Sequence, residues 1–510
     1  MPSLLGDVNN SEELLDELMA TALEEKRNVH RTTAQLHNSL QPIFRIPTEI
    51  LSYVLELVAK LTDVQMKDPG GEIVHFPLSR SFISFILSCQ WIREAALNTP
   101  ACWDNVIICF TNRHTPSSVD LLNLIRSRDV AFNLTVYVGD IYISQEALGN
   151  NLGVLGPHIH RCCQINIHAV DGKRRTKLQD ITRVIQGFGW DYPALHSVKL
   201  FSCTRDERAP LTPFWNRGAT RIESVDIGFG MLGDHLVPQP SLEDLQLPLE
   251  RLRSLRIRRG LDKSLVISLL HHCLHLEHFD WHFEDEEPGP IDEKLELPRL
   301  RTLKLGGIAV YAGFPSLIAP ACEDICLSGL WPSVGCDWLL GIDHGEIQEF
   351  PSLKRLSFRN GDGYTKGLRE FFSYHSLLEE IMVRNPDECD DELSEKECGL
   401  FKGLSSLSTA SEASTSGART FLPALHTFWY KLDLGGWRLH QNSPWFDYVD
   451  EIVESIREFL TCRPSLNMKV LLQPKYRRVP QQLLNLMEEF PRRFGFSDEV
   501  PNGWEQYGFI

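Results

Sequence analysis

The sequence predicts a mixed α/β chain, in which a short N-terminal helical region precedes a long array of stacked strand-plus-helix units around a largely parallel sheet. Three observations predict it. Apolar residues recur at helical spacing between residues 42 and 100. Beyond about residue 130 the period shortens, and one three-point apolar template recurs ten times. The chain is also 510 residues long and 43% hydrophobic. That is too apolar for a disordered polymer and too long for a single core, since domains run about 100–200 residues.

Residues 10–41 form a polar helix. Asn10 caps it, with Glu13 completing a capping box. Leu15, Ala22, Val29 and Leu36 recur in a heptad, but Glu25, Thr32 and Ser39 occupy its other seam. This half-polar seam favours a helix packed on its own neighbour over a coiled coil. Pro42 ends that segment, and a helical domain follows over 42–108. Pro47 suits a first helical turn, and Ile46, Ile50, Val54 and Val58 lie four apart on one face, widened by Leu51 and Leu55. Asp68-Pro69-Gly70-Gly71 reads as a loop between its two helical pieces. Thr99-Pro100 stops the last helix, and the run from Trp103 through Ile108 begins an extended segment.

The template of the next region, 115–475, is an apolar anchor with apolar residues three and five places later. It reads Cys162/Ile165/Ile167, Leu195/Val198/Leu200, Ile222/Val225/Ile227, Leu252/Leu255/Ile257 and Leu276/Phe279/Trp281. It continues as Leu300/Leu303/Leu305, Cys322/Ile325/Leu327, Leu353/Leu356/Phe358, Leu378/Ile381/Val383 and Leu425/Phe428/Tyr430. Prolines 193, 298, 320, 351 and 423 sit two residues before their anchors, where a strand's first residue tolerates proline. Helical stretches lead into three strands, as in LVISLLHHCLHLEHFDW, GLREFFSYHSLLEEIMV and SIREFLTCRPSLNMKVLL. Such units are of the leucine-rich kind and bury a core only by stacking. Their spacing runs from 22 residues (Leu300 to Cys322) to 47 (Leu378 to Leu425), so the solenoid is irregular. The longest gap holds an acidic, Ser-rich insertion at 384–420, predicted to be disordered, whose serines and threonines read first as a passive loop. Residues 476–510 read as a tail.

Two segments carry a family resemblance. Ile46-Pro47-Thr48-Glu49-Ile50-Leu51 resembles the Leu-Pro-x-Glu-Ile-Leu opening of an F-box. CQWIREAALNTPACW (89–103) is similar to the segment closing the F-box in large fungal families, matching at Cys89, Arg93, Ala96, Leu97, Thr99, Pro100 and Trp103. Ile92 stands where that pattern has tryptophan, and Trp91 lies one residue early. Irregular leucine-rich-repeat-like units after the box also resemble those families. The resemblance implies a non-catalytic substrate receptor of a Skp–cullin–F-box ubiquitin ligase, docked on a Skp-type adaptor and through it on a cullin. It implies adaptor docking by Ile46, Pro47, Ile50, Leu51, Val54, Leu55, Trp91 and Ile92, with internal packing as the competing role for each. The alternative is an interaction scaffold whose helical region merely caps the repeats.

A protein target would meet the strand face opposite the template's apolar positions. The fourth residue after each anchor gives a row expected to face outward: Lys199, Asp226, Arg256, Asp280, Lys304, Cys326, Ser357, Met382 and Trp429. Gln246, from a short preceding strand, is a less regular member. Arg251, Arg253, Arg256, Arg258 and Arg259 form a basic island. Arginine forks recognise carboxylates and phosphates, so an acidic or phosphorylated target segment suits this row, although solvated surface charge accounts for any one residue.

Other chemistry finds no constellation. Lys+Arg number 51 against 68 Asp+Glu, a net −17 that argues against a general nucleic-acid binder. HHCLHLEHFDWH (271–282) is dense in histidine, but its residues split between a helix end and a strand face, so no metal is expected. There is no phosphate-binding GxxxxGK[ST] loop, no GxSxG elbow and no dinucleotide loop, and no cofactor is expected. The N-terminus lacks the pattern of a secretory signal and no apolar run reaches the roughly 20 residues of a bilayer span. Thirteen cysteines without a CxxC pair read as reduced thiols, which places the expected compartment in the cytoplasm or nucleus, away from membranes.

Overall fold

A computed structural model describes residues 17–33, 46–61, 64–67, 73–76, 80–110, 118–139, 141–169, 178–202, 221–229, 247–258, 261, 263–283, 294–307, 315–328, 350–359, 371–372, 374–384, 422–432, 445–472 and 481–497. The ends of the N-terminal segment, the Asp68–Gly71 loop, Gln246, Arg259, residues 385–420 of the insertion and 498–510 of the tail lie outside these. The chain divides into two compact units, Met1–Ile107 with Ser117–Phe132, and Ile108–Pro116 with Asn133–Ile510.

The first unit contains α1 (residues 17–33), α2 (Thr48–Leu61), α3 (Arg80–Ile86), α4 (Gln90–Leu97) and α5 (Ser118–Arg126), with a hairpin of β1 (Val64–Lys67) and β2 (Ile73–Phe76). Every described residue of α1 is exposed, including Leu18, Met19, Leu23 and Val29, so the expected packing of that helix on a neighbour is absent over these residues. Leu51, Leu55 and Ala59, four apart on α2, are buried against Phe82, Ile86, Ile92, Ala95, Ala96, Cys102 and Trp103. The inward face of α2 is therefore one residue round from the one the Ile50/Val54 spacing suggests. Ile46 and Val58 pack at its margin.

The closing segment builds this core. Cys89 caps α4 by accepting the Ile92 N–H at its sulfur. The Thr99 hydroxyl donates to the Ala95 carbonyl at 2.8 Å and lies 2.9 Å from Ser52 Oγ on α2. Pro100 opens a short 3₁₀ turn that carries Trp103 inward. The Trp103 indole N–H donates to Ala96 O at 2.8 Å, and its ring meets Phe82 edge-on and the Arg126 guanidinium at 4.5 Å.

A sheet of fourteen strands underlies the second unit. In order they are β3 (Asn105–Phe110), β4 (Phe132–Val138), β5 (Cys162–Ala169), β6 (Ser197–Ser202), β7 (Ser224–Phe229), β8 (Ser254–Arg258), β9 (His278–Phe283), β11 (Thr302–Gly307), β13 (Asp324–Ser328), β14 (Arg355–Arg359), β15 (Glu380–Arg384), β16 (Thr427–Leu432), β17 (Asn467–Leu472) and β18 (Phe494–Ser497). From β5 to β18 neighbouring strands pair in parallel. A separate two-stranded parallel sheet pairs β10 (Lys294–Glu296) with β12 (Ser316–Ile318). Helices α6 (Gln145–Gly153), α7 (Leu178–Phe188), α8 (Lys263–His272), α9 (Trp445–Cys462) and α10 (Gln481–Glu489) alternate with strands, as parallel crossovers require.

All ten template triads are buried, most of their residues to within 1% of full burial. They supply the apolar face of the sheet. The prolines before the anchors do a different job from the one the sequence suggests. Each anchor N–H bonds the carbonyl three residues earlier, as Leu195 to Tyr192, Leu300 to Leu297, Cys322 to Ala319, Leu353 to Phe350 and Leu425 to Leu422. Pro193, Pro298, Pro320, Pro351 and Pro423 thus occupy the second position of a tight turn, whose φ proline pre-sets. The strand itself begins two residues after the anchor. His375 holds two such turns together: its ring stacks on Phe371 at 4.0 Å and its Nε2 accepts the Phe350 N–H.

One carbonyl per unit ties the array. The residue directly after each anchor accepts two N–H groups from the next unit, at 2.7–3.2 Å, from His196 O through Glu223, Arg253, Glu277, Arg301, Glu323 and Lys354 to Glu379 O. Leu303→Ala, fully buried at the middle of the sheet, is expected to lower stability by about 2–5 kcal/mol in urea titration. Ile50→Ala, 54% exposed on α2, should stay within about 0.5 kcal/mol of the parent.

Candidate functional site

Two surfaces carry the residues that sequence analysis singled out. The first is the outer face of α2. Ile50 is 54% exposed, Tyr53 61%, Val54 39% and Leu57 40%, at the i, i+3, i+4, i+7 spacing of a single helical stripe. Pro47 is exposed at its start. Leu51, Leu55 and Ile92 are buried in the core of the unit, and Trp91 is half-buried against it, which removes the first three from any docking face. Tyr53 and Leu57 were missed, although their spacing from Ile50 and Val54 was there to be read.

The second is the polar face of the sheet. Register brings Lys199, Asp226, Arg256, Asp280 and Lys304 side by side on β6, β7, β8, β9 and β11, in strictly alternating charge. Asp324 and Arg355, two residues earlier in their units, join them as a bidentate pair. Arg256 Nε lies 2.9 Å from Asp280 Oδ2, yet Nε is buried without a hydrogen-bond acceptor, so this contact is a charge pair in poor hydrogen-bond geometry. Arg258 Nη2 lies 3.5 Å from Asp226 Oδ2, and its guanidinium covers the Phe201 ring at 4.7 Å. Gly228 stands between Phe201 and Arg258. A Cβ there would fall 2.8 Å from the Phe201 ring, so glycine is what lets the ring lie flat across the strand.

The expectation that the whole row faces outward fails at Asp226 and at its far end. Asp226, Cys326, Ser357, Met382 and Trp429 are buried. Parallel strands sit about 4.8 Å apart, so in-register side chains cover one another. Ser357 sits in register between Cys326 and Met382, and Met382 in turn pairs with Trp429, whose ring Lys469 approaches at 5.2 Å. Lys199, Arg256, Arg258, Asp280 and Lys304 remain half-exposed. Lys199, Arg256, Asp280 and Lys304 line an open cavity of about 520 Å³ together with Asp226, Asp324 and Arg355.

Burial sets the protonation of this face. It raises the Asp226 carboxyl, and Arg258, Arg256 and Lys199 pull the other way. It lowers Lys304, against the opposing pull of Asp280. His168, stacked on Phe201 at 4.7 Å, is lowered to about 4 by burial, then by Arg258 and Lys199.

A second charged row runs beside the first. The residues just after the anchors read Glu223, Arg253, Glu277, Arg301, Glu323, Lys354, Glu379 and His426, again alternating. Arg253 spans Glu223 and Glu277 at 3.7 and 3.5 Å, and Lys354 lies 3.5 Å from Glu323. These exposed pairs add at most about 1 kcal/mol each, and like charges in the same register would oppose stacking.

Among the described residues of the strand region, Cys162, Cys273, Cys322 and Cys326 are buried. Burial pushes Cys273 and Cys322 up to about 12 and raises Cys162 further. Among the described residues no three His, Cys, Asp or Glu side chains converge as a metal ion would require, and no helix is long and apolar enough to cross a membrane.

The depressed His168 gives a pH signature. The unfolded chain protonates this ring near its ordinary value of about 6.5 and the folded chain near 4, so stability falls as pH drops between those values. His168→Gln should flatten the acid side of the denaturation midpoint between about pH 6.5 and 4, a change of up to a few kcal/mol. An unchanged profile would contradict the assignment. Comparison with known proteins returns no matching family model and no matching curated sequence.

Proposed function

We propose that the chain is a substrate-receptor subunit of a Skp–cullin–F-box type ubiquitin ligase, non-catalytic itself. Its helical unit docks on the Skp-type adaptor and its repeat region holds a protein target. The observation that carries the reading is the two-sided α2 helix. Leu51, Leu55 and Ala59 are spent on the core, and Ile50, Tyr53, Val54 and Leu57 form an apolar stripe with no cover among the described residues. A helix with an apolar stripe on each side has one face for its own fold and one for a partner groove.

Two further features support it. The resemblance at 46–51 and 89–103 falls on the residues that open α2 and close the unit around Trp103. Ile92, in place of tryptophan, fills a buried position in that core, so the substitution leaves the outer stripe intact. The long parallel sheet offers a broad polar face for a target, and catalysis is left to other subunits by proximity. On this reading the chain works in the cytoplasm or nucleus.

The competing scaffold reading makes the opposite forecast for one substitution. Ile50→Asp places a charge on an exposed stripe and leaves the fold intact. Recovery of the Skp-type adaptor in co-purification is expected to fall about tenfold or more, because a charge would be left unpaired in an apolar contact. Deleting residues 42–103 should abolish recovery. Undiminished adaptor recovery by both forms overturns the receptor reading.

A further inference from the structure

The edge of the second unit where the turns lead into the strands carries a charge pattern that neither face of the sheet uses. The residue just before each anchor reads Ala194, Arg221, Arg251, His275, Arg299 and Ala321 ahead of β6, β7, β8, β9, β11 and β13. Ser197, Ser224, Ser254, His278, Thr302 and Asp324, each three residues further on, pair with their neighbours, which puts the earlier positions in the same register. Three arginines and a histidine therefore line up on four successive units at intervals of about 4.8 Å, with alanine at either end. Like charges side by side oppose such stacking. The row two residues on, from Glu223 to Arg301, alternates in sign, and Arg253 there pairs with both Glu223 and Glu277. The row before the anchors is not relieved in this way. Arg221 and Arg299 are exposed and make no ion pair among the described residues. An open cavity of about 680 Å³ lies along the row, and the 56% exposed Leu274 is part of its lining. Two carboxylates line it as well. Glu223 is engaged by Arg253, and Glu250 stands against Arg221, Arg251 and Arg299.

We infer that this groove docks an acidic helix of a partner protein, with carboxylates at i, i+3, i+7 and i+10. It is a further interaction surface, separate from the α2 stripe and from the polar face of the sheet, and it does not rest on the adaptor reading. Spacing selects the ligand. A helix rises about 1.5 Å per residue, so those four positions follow at about 4.5, 6 and 4.5 Å and span about 15 Å. Four units at about 4.8 Å span about 14 Å. An extended segment repeats its same-side residues every ~6.6 Å and is out of step by the third cation.

The chemistry of the groove agrees with that spacing. Each guanidinium fork takes one carboxylate in a bidentate pair. Leu274 offers an apolar contact to the aliphatic stems between the carboxylates, which a phosphate chain lacks. Glu250 repels a ligand charged at every step, and a protein of net charge −17 repels a long nucleic acid. The carbonyls of Glu223, Arg253 and Glu277 lock the four units together, so the backbone spacing of the cations is set before the ligand arrives.

The test uses the full chain and fluorescent alanine-rich peptides, read by fluorescence anisotropy. One peptide carries glutamates at i, i+3, i+7 and i+10, and the other carries the same four glutamates in one run. The spaced peptide is expected to bind at least about fivefold tighter than the run, and to weaken with added salt. Arg221→Gln and Arg299→Gln, at exposed positions that leave the fold intact, should each lower its affinity about fivefold. Lys354→Gln, outside the groove, should bind as the parent does. Equal binding of the two peptides, or full binding by both arginine variants, overturns the inference. Tripolyphosphate or an oligothymidylate that binds as tightly as the spaced peptide would make this a phosphate site, which also overturns it. Adaptor recovery measured on the same proteins keeps the two proposals apart. A chain that discriminates the peptides but fails to recover adaptor sinks the receptor reading alone. Adaptor recovery without peptide discrimination sinks only this one.

Discussion

The carbonyl oxygen just after each anchor is the point on which the second unit depends. It accepts two N–H groups from the following unit, and the same bond pair recurs from His196 to Glu379. With that contact made, the next strand can start only in register and only in parallel. The apolar triads then fall on one face and the polar row on the other. A slip of one residue would bury Asp226 or Arg256 among leucines and expose Val225 or Leu255. The alternating charges of Glu223, Arg253, Glu277 and Arg301 sit on the residues that make those carbonyl contacts. Their side chains therefore favour the pairing that their backbones enforce. Individually weak, they all act against the same wrong register.

Function on both surfaces follows from residues the core does not consume. On α2 the turn of the helix gives alternate stripes to the core and to solvent. On the sheet the two-residue period does the same, and register converts scattered charges in the sequence into a continuous lattice. Lys199 and Lys304 are more than a hundred positions apart in the chain, yet only three strands lie between theirs. Burial tunes this lattice. His168 is held neutral against Phe201, Asp226 is pushed up and Lys304 down, the mark of charges held half out of water.

Much of this was legible in the sequence because a parallel stack repeats its apolar needs. The triads located ten strands, and the Leu-x-x-Leu-x-Leu rhythm survived loops of very different length. Two strands of the large sheet escaped. β4 buries Phe132, Leu134, Val136 and Val138, but Asp129 stands at its anchor position. At β18 the chain is held by polar contacts, since the Arg493 guanidinium donates to the Leu460 and Arg463 carbonyls where an apolar anchor would pack. β3, at the other end of the order, was legible as the extended segment after Trp103, although it precedes the first full template. The prolines were seen but misplaced by two residues, because the turn that uses them lies just ahead of the strand. For the sites, spacing found Ile50 and Val54 but not which neighbouring stripe faced inward. That choice depends on Trp103 and Phe82, far along the chain. The buried end of the polar row was not legible either, since Ser357 lies between residues 31 and 25 positions away in the chain, Cys326 and Met382.

Hydrogen–deuterium exchange of the full chain, with and without a Skp-type adaptor, tests the central claim most directly. The account predicts slowed exchange across residues 47–61, where α2 presents its outer stripe, and unchanged exchange in the strands from β6 to β17. Exchange at α2 that does not respond to adaptor, or protection confined to the sheet, would contradict it.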